Sequence, residues 1–190
     1  MTRRLSSACL VLVFLLSLFV VAPLVVRAAP LPTFDRPILV TCTGQTPGSL
    51  TLTTLLDRQG IKVTHDPLVV PSKMAGYKTI IVVMGASLKG LGAAGINQEE
   101  ELDRDRMVFK KARELGMKII AAHIEGTARR NAIADKFITP FVPQADFLLV
   151  YEEGNKDGLF TKLSAQSKVP LVVFKDFRDE FGNIVKTIFP

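Results

Sequence analysis

Short, continuously apolar segments alternate along the chain with segments whose apolar residues recur every three to four positions. The apolar segments are rich in β-branched residues and predict buried strands at 37–43, 61–70, 79–84, 118–124 and 147–151. The amphipathic segments between them predict helices, the clearest of which begins at Asn97, where Glu100 completes a capping box. Strands that are apolar throughout are buried on both faces, so the alternation predicts a parallel sheet covered by helices.

The predicted fold is a three-layer α/β domain with a parallel sheet, flavodoxin-like or Rossmann-like. We expect the strand order 2-1-3-4-5, because right-handed crossovers between parallel strands leave few alternatives. The last segments, 170–174 and 183–189, are expected to add a strand or hairpin at one edge, with Gly182 and Asn183 forming a turn. Ligands bind outside the carboxyl ends of such strands, so the loops after the first, third and fourth strands form the expected binding region.

The first 28 residues have the pattern of a secretory signal. Arg3 and Arg4 precede an uncharged apolar run of 17 residues at 10–26, and small residues surround Ala28, where cleavage is expected. An uncleaved membrane anchor is the alternative, although the run is short for a spanning helix. The predicted organisation is a signal peptide at 1–28, an extended leader at 29–36 and a single α/β domain at 37–190, exported to the periplasm or out of the cell.

Cleavage of the signal changes the charge balance of the chain. The whole sequence carries 24 basic and 18 acidic residues, and removing three signal arginines leaves 21 basic residues and a net charge of +3. This excess is too small to predict nucleic-acid binding, and no stable membrane insertion is expected after cleavage. Cys42 lies in an apolar segment and is expected to be a buried thiol. No spacing of histidine, cysteine and acidic residues predicts a metal, and no cofactor is expected.

The first two loops at the predicted edge offer groups that suit an anion. Gln45 and Thr46 stand at the start of a helix, where unpaired N–H groups favour negative charge; the alternative is a plain turn with Thr46 as N-cap. Residues 85–97 form the second predicted loop, in which Ser87, Lys89 and four glycines, including Gly90 and Gly92, could cradle a phosphate or carboxylate. The glycines match G-x-G-x-x-G but begin too far from the strand for a dinucleotide site. A flexible surface loop is the alternative.

The third loop contains His123, Glu125, Arg129 and Arg130. With Thr127 as N-cap, both arginines fall in the first turn of a helix, where the dipole disfavours a cation by about 0.3–1 kcal/mol. An anion bound among His123, the arginines and Lys89 would compensate for this, and an ion pair with Glu125 is the alternative.

Two other polar segments are interpreted without a ligand. The charged residues at 99–106 predict a solvated helix face with paired charges. Asp157 is expected to cap the helix that follows the fifth strand; the alternative is that its loop, residues 152–158, supplies hydrogen-bond acceptors to the expected binding region.

Two motifs carry a family resemblance. Residues 85–96 read GASLKGLGAAGI and residues 123–130 read HIEGTARR. Together they resemble a family of exported bacterial proteins of unknown function, over most of the mature chain. The resemblance implies a bacterial, exported α/β domain and no particular substrate.

The predicted function is an extracytoplasmic binding domain for a small anionic ligand. Ammonium and guanidinium groups bind anions without needing a base, which favours recognition over catalysis. The predicted ligand-binding residues are Gln45, Thr46, Ser87, Lys89, Gly90, Gly92, His123, Glu125, Arg129 and Arg130. One alternative is a hydrolase or transferase with Ser87 as nucleophile and His123 as base, although Ser87 lacks a nucleophile elbow. Another is a structural or interaction domain.

Overall fold

Six parallel strands form one open sheet in a computed structural model that describes residues 30–190. The strands are β1 (Ile38–Cys42), β2 (Thr64–His65), β3 (Thr79–Val83), β4 (Lys118–His123), β5 (Phe147–Tyr151) and β6 (Leu171–Phe174). Their order is β2-β1-β3-β4-β5-β6. The predicted order 2-1-3-4-5 and the flavodoxin-like alternative are therefore confirmed, and β6 extends the sheet beyond β5. The signal predicted at 1–28 lies outside the described residues.

Helices cover both faces of the sheet. They are α1 (Gly48–Arg58), α2 (Leu88–Ala94), α3 (Gln98–Glu114), α4 (Ala132–Ile138), α5 (Leu159–Ser167) and α6 (Glu180–Ile188). The side chains of β1 alternate between two hydrophobic clusters, as the two-residue period of a strand requires. Val40 joins the cluster that contains α1 and α6, whereas Leu39 joins the one that contains α3, α4 and α5. The predicted three-layer α/β class is confirmed.

The C-terminal segment differs from its prediction, because residues 183–189 belong mainly to α6 rather than to a strand or hairpin. Gly182 and Asn183 lie inside this helix and form no turn. Ile184, Val185 and Ile188 recur at helical spacing and are buried against one face of the sheet. Burial of this stripe favours the helix over an edge strand.

Three helix starts also differ from their predictions. Most of the predicted loop at 85–97 is helix α2, whose N-cap Ser87 accepts a hydrogen bond from Gly90 N. Residues Gly126–Arg129 form a short 3₁₀ helix, so Thr127 is not the cap of an α-helix, and α4 begins later, after Asn131. Helix α1 is preceded by Pro47 rather than Thr46 at its N-cap position. The capping box of Asn97 and Glu100 is confirmed.

The chain before β1 contacts the end of the chain. Phe34 is buried, and its backbone N–H donates to Ile188 O at 2.8 Å. Part of the predicted leader thus packs with α6. Within residues 30–190, no helix has the length and apolar character needed to cross a bilayer.

Candidate functional site

The loops after β1 and β3 meet backbone to backbone. A Cβ at Gly44 would overlap Gly85 O, and a Cβ at Gly90 would overlap Gln45 O. Ser87 N donates to Gly44 O at 2.8 Å across the same junction. In open α/β sheets the binding crevice lies where the strand order reverses, here between β1 and β3. In this protein, direct packing of the two loops fills that place.

The N-terminus of α1 is occupied by a carboxylate of the chain itself. Thr46 Oγ1 donates to Glu125 Oε2, and that oxygen lies 2.7 Å from where a Cβ at Gly48 would stand. An acidic group at a helix N-terminus interacts favourably with the helix dipole. Glu125 therefore takes the position that the sequence suggested for a bound anion beside Gln45 and Thr46.

Gln45 points into the protein rather than toward a ligand. Its backbone N and its Nε2 donate to Glu101 Oε1 at 3.2 and 3.0 Å, and Nε2 also donates to Pro67 O at 3.0 Å. These hydrogen bonds hold Gln45 in the left-handed region, at a φ of 50°. Such a conformation is uncommon for a residue with a side chain and needs this support.

The charged run at 99–106 is not a uniformly solvated face, contrary to its prediction. Glu101, Arg104 and Asp105 are buried on the face of α3 that packs against the loop after β1. Arg104 binds both acids and donates to Cys42 O at 2.7 Å. These three residues and the buried Val108 recur every three to four positions, so they lie on one face of α3. The exposed charged residues of the run lie on its other faces. That spacing was the available signal in the sequence.

Burial alters the acid–base behaviour of two groups below the loop. Desolvation raises the pKa of Asp105 well above its usual range, opposed by Arg104 and reinforced by Glu101. Burial also raises the pKa of the Cys42 thiol to about 12, so the thiol stays protonated. The prediction that Cys42 is a buried thiol is confirmed.

An open cleft lies between α2 and the segment that leads into α4. Its volume is about 370 Å³, within the range of small-molecule sites. The lining residues are Ala86, Ser87, Leu88, Lys89, Arg129, Asn131 and Ile133. Two predicted cations, Lys89 and Arg129, therefore face the same cavity from separate segments. Four lining residues were not predicted: Ala86, Leu88, Asn131 and Ile133. Of these only Asn131 had a signal in the sequence, because an asparagine before an apolar run marks a helix start.

The polar groups of this cleft have their acceptors engaged. Ser87 Oγ accepts from Gly90 N at 3.1 Å. Asn131 Oδ1 caps α4 by accepting from Ile133 N and Ala134 N at 3.0 and 2.9 Å. Within residues 30–190 the Ser87 hydroxyl proton and the Asn131 amide N–H groups are still available, as are the Lys89 ammonium and the terminal N–H groups of Arg129. The lining thus offers mainly donors, which suits a ligand that only accepts.

Arg129 and Arg130 have different surroundings. Arg129 is half-exposed, and its Nε lies 3.2 Å from Glu125 Oε1, the pairing that the sequence left as an alternative. Arg130 is only 8% exposed and pairs with Asp135 and Asp157 at 3.1 and 2.7 Å. Its guanidinium also lies 5.3 Å from the ring centroid of Phe160. Arg130 ties the loops after β4 and β5 together and does not line the cleft.

His123 is fully buried and makes no hydrogen bond with Ser87. Its Nδ1 lies 2.8 Å from Met84 O and its Nε2 lies 3.2 Å from Gly126 O. Burial lowers the pKa of the ring, although both carbonyl groups oppose that shift. A base needs a nitrogen within reach of its nucleophile, so the structure does not bring together the pair required for the hydrolase alternative.

Asp157 has a supporting position, whereas Gly92 does not contact the cleft. Asp157 Oδ1 accepts from Leu159 N at 3.2 Å at the start of α5, in addition to binding Arg130. Gly92 lies in α2 with open space beside it. Among residues 30–190, no group of three or more histidine, cysteine and acidic side chains is arranged to hold a metal ion.

The sheet and its cleft define an open, doubly wound α/β domain with cationic groups at the carboxyl edge. The chain belongs to the family described as a domain of unknown function, DUF6305, whose model matches residues 35–189. Searches of curated proteins and of solved structures found no match. The predicted membership of a family of unknown function is confirmed.

Proposed function

We propose that this domain binds a small anionic ligand in the cleft between α2 and α4. The observation that carries the proposal is the convergence of Lys89 and Arg129 on one cavity whose other polar groups are donors. Charge-assisted hydrogen bonds from such groups are about twice as strong as neutral ones. A ligand rich in acceptors would satisfy all of them together.

The proposed site is smaller than the set of residues chosen from the sequence. It keeps Ser87, Lys89 and Arg129 and adds Asn131. The other predicted residues support it from behind: Glu125 holds Arg129, and Gly90 allows α2 to approach the loop after β1.

The test is titration with phosphate, sulfate and acetate at low, constant ionic strength. Binding should raise the melting temperature, because a ligand selective for the folded state stabilises it. Lys89→Gln should weaken the tightest of these anions about tenfold or more, since a hydrogen bond to a charged group contributes about 1.5–3 kcal/mol. Lys89 is exposed, so the variant should fold normally.

Lys162→Gln is the matched control, because Lys162 is also an exposed lysine on a helix and does not line the cleft. It should leave the affinity unchanged. An equal loss in both variants would indicate non-specific charge attraction. The absence of any anion response in the wild type would contradict the proposed function.

We also propose that the domain acts outside the cytoplasm. The support is the basic start at Arg3 and Arg4, the apolar run that follows and the small residues around Ala28. N-terminal sequencing of the protein from its native host should begin near Ala29. An intact Met1 in a cytoplasmic fraction would contradict export.

A further inference from the structure

The cleft combines one uncompensated positive charge with an apolar wall. Within residues 30–190 Lys89 forms no ion pair, whereas the charge of Arg129 is balanced by Glu125 at 3.2 Å. A ligand with a single negative charge would therefore neutralise the cleft. A doubly charged oxyanion would leave one of its two negative charges without a cation.

The apolar wall is formed by Ala86, Leu88 and Ile133. Leu88 is 57% exposed, although it stands between two polar residues of the site, Ser87 and Lys89. An inorganic anion would leave this leucine in water. A ligand with an apolar body would cover it and remove apolar surface from water.

Arg129 presents a geometry suited to a planar acid. Its Nε lies 3.2 Å from Glu125 Oε1, and this is its one ion pair within residues 30–190, so the N–H groups of its two terminal nitrogens remain for a ligand. Two parallel N–H groups bind a carboxylate in a bidentate fashion.

We propose that the ligand is a monocarboxylate with a small apolar body, whose carboxylate binds Lys89 and Arg129 and whose body lies on Leu88 and Ile133. This inference rests on the proposed anion-binding function and narrows it to one chemical class. No covalent step is involved.

Isothermal titration calorimetry with acetate, butyrate, hexanoate and benzoate, beside inorganic phosphate and sulfate, tests the proposal. Affinity should rise with each methylene added, by up to about fourfold for each one that is fully buried. Hexanoate and benzoate should bind more tightly than either inorganic anion. Leu88→Ser should flatten the dependence of affinity on chain length, because it removes apolar surface that the longer ligands would cover.

Leu115→Ser is the control, because Leu115 is also an exposed leucine but ends α3, before β4, and does not line the cleft. The Leu115→Ser variant should keep the wild-type dependence of affinity on ligand chain length. The carboxylate proposal is overturned if phosphate or sulfate binds best, or if affinity does not depend on chain length. The anion site still stands in either case, provided that Lys89→Gln weakens binding about tenfold or more. If no ligand binds, or if Lys89→Gln changes nothing, both proposals fail.

Discussion

Arg104 is buried, so its charge needs partners inside the protein, which an exposed arginine of α3 does not. Its side chain is buried below the loop after β1, where it binds Glu101 and Asp105 and donates to two backbone carbonyl groups, Cys42 O and Val69 O. Burying a charge is unfavourable unless ion pairs and hydrogen bonds compensate for it. The two acids depend on Arg104 in the same way.

Arg104→Met is expected to lower the free energy of unfolding by about 3–5 kcal/mol, because it leaves two buried acids without their cation. Arg106→Met on the same helix is the control. Arg106 is 62% exposed, and within residues 30–190 its one ion pair is with the exposed Asp103, so its loss should cost at most about 1 kcal/mol. Urea unfolding of both variants measures the difference, and equal losses would show that the buried cluster contributes little.

Helix α2 shows how one element is fixed by contacts outside it. Its sequence, LKGLGAA, contains two glycines, and glycine in a helix is less favourable than alanine by about 0.5–1 kcal/mol. The sequence therefore favoured a loop over a helix. The Ser87 cap and the burial of Leu91 stabilise the helix, and only Gly90 requires a glycine, because its backbone lies against Gln45 O.

Substituting alanine for each glycine of α2 separates the steric requirement at Gly90 from the low helix propensity of glycine at Gly92. Gly90→Ala should destabilise the protein by about 1–3 kcal/mol, because the new Cβ overlaps a backbone oxygen that cannot move freely. Gly92→Ala should stabilise it by about 0.5–1 kcal/mol, since nothing lies within 4 Å of its Cβ position. Thermal and urea unfolding check both values. A stabilising Gly90→Ala would show that α2 does not press on the first loop.

The stability of the whole molecule should depend on two buried groups that titrate in opposite senses. Asp105 is faced by Glu101, Arg104, Arg106 and the backbone of Gly44, and its pKa is raised in the folded state. The folded protein therefore keeps this proton after the unfolded chain has lost it, and stability falls as pH rises above about 4. His123 has a lowered pKa, so its contribution is lost as pH falls through about 6.5.

Asp105→Asn tests this prediction because it cannot ionise and keeps a carbonyl oxygen for Arg104. Its free energy of unfolding should rise relative to that of the wild type as the pH increases from about 4 toward neutrality. His123→Gln should show the opposite trend, gaining on the wild type as the pH falls below about 6.5. Urea unfolding across this pH range measures both differences. Parallel curves for Asp105→Asn and the wild type would contradict the raised pKa.

The amino-acid pattern predicted the parallel sheet and favoured the order of β1 to β5 that the structure has, and with it the meeting of three loops at one edge. Apolar periodicity is a local signal that predicts the strands, and the right-handed crossover rule then leaves only a few possible strand orders. The sequence also supplied Ser87, Lys89 and Arg129, because loops that follow parallel strands must share an edge.

Which charges are available to a ligand depends on tertiary contacts that the local sequence does not reveal. Arg129 and Arg130 are neighbours in the chain, yet one faces the cleft and the other is buried between Asp135 and Asp157. The carboxylate of Glu125 occupies the N-terminus of α1, where it accepts a hydrogen bond from Thr46, a residue 79 positions earlier in the sequence. The state of a charged side chain depends on solvent exposure and on partners that are distant in sequence, and neither is encoded in the local pattern.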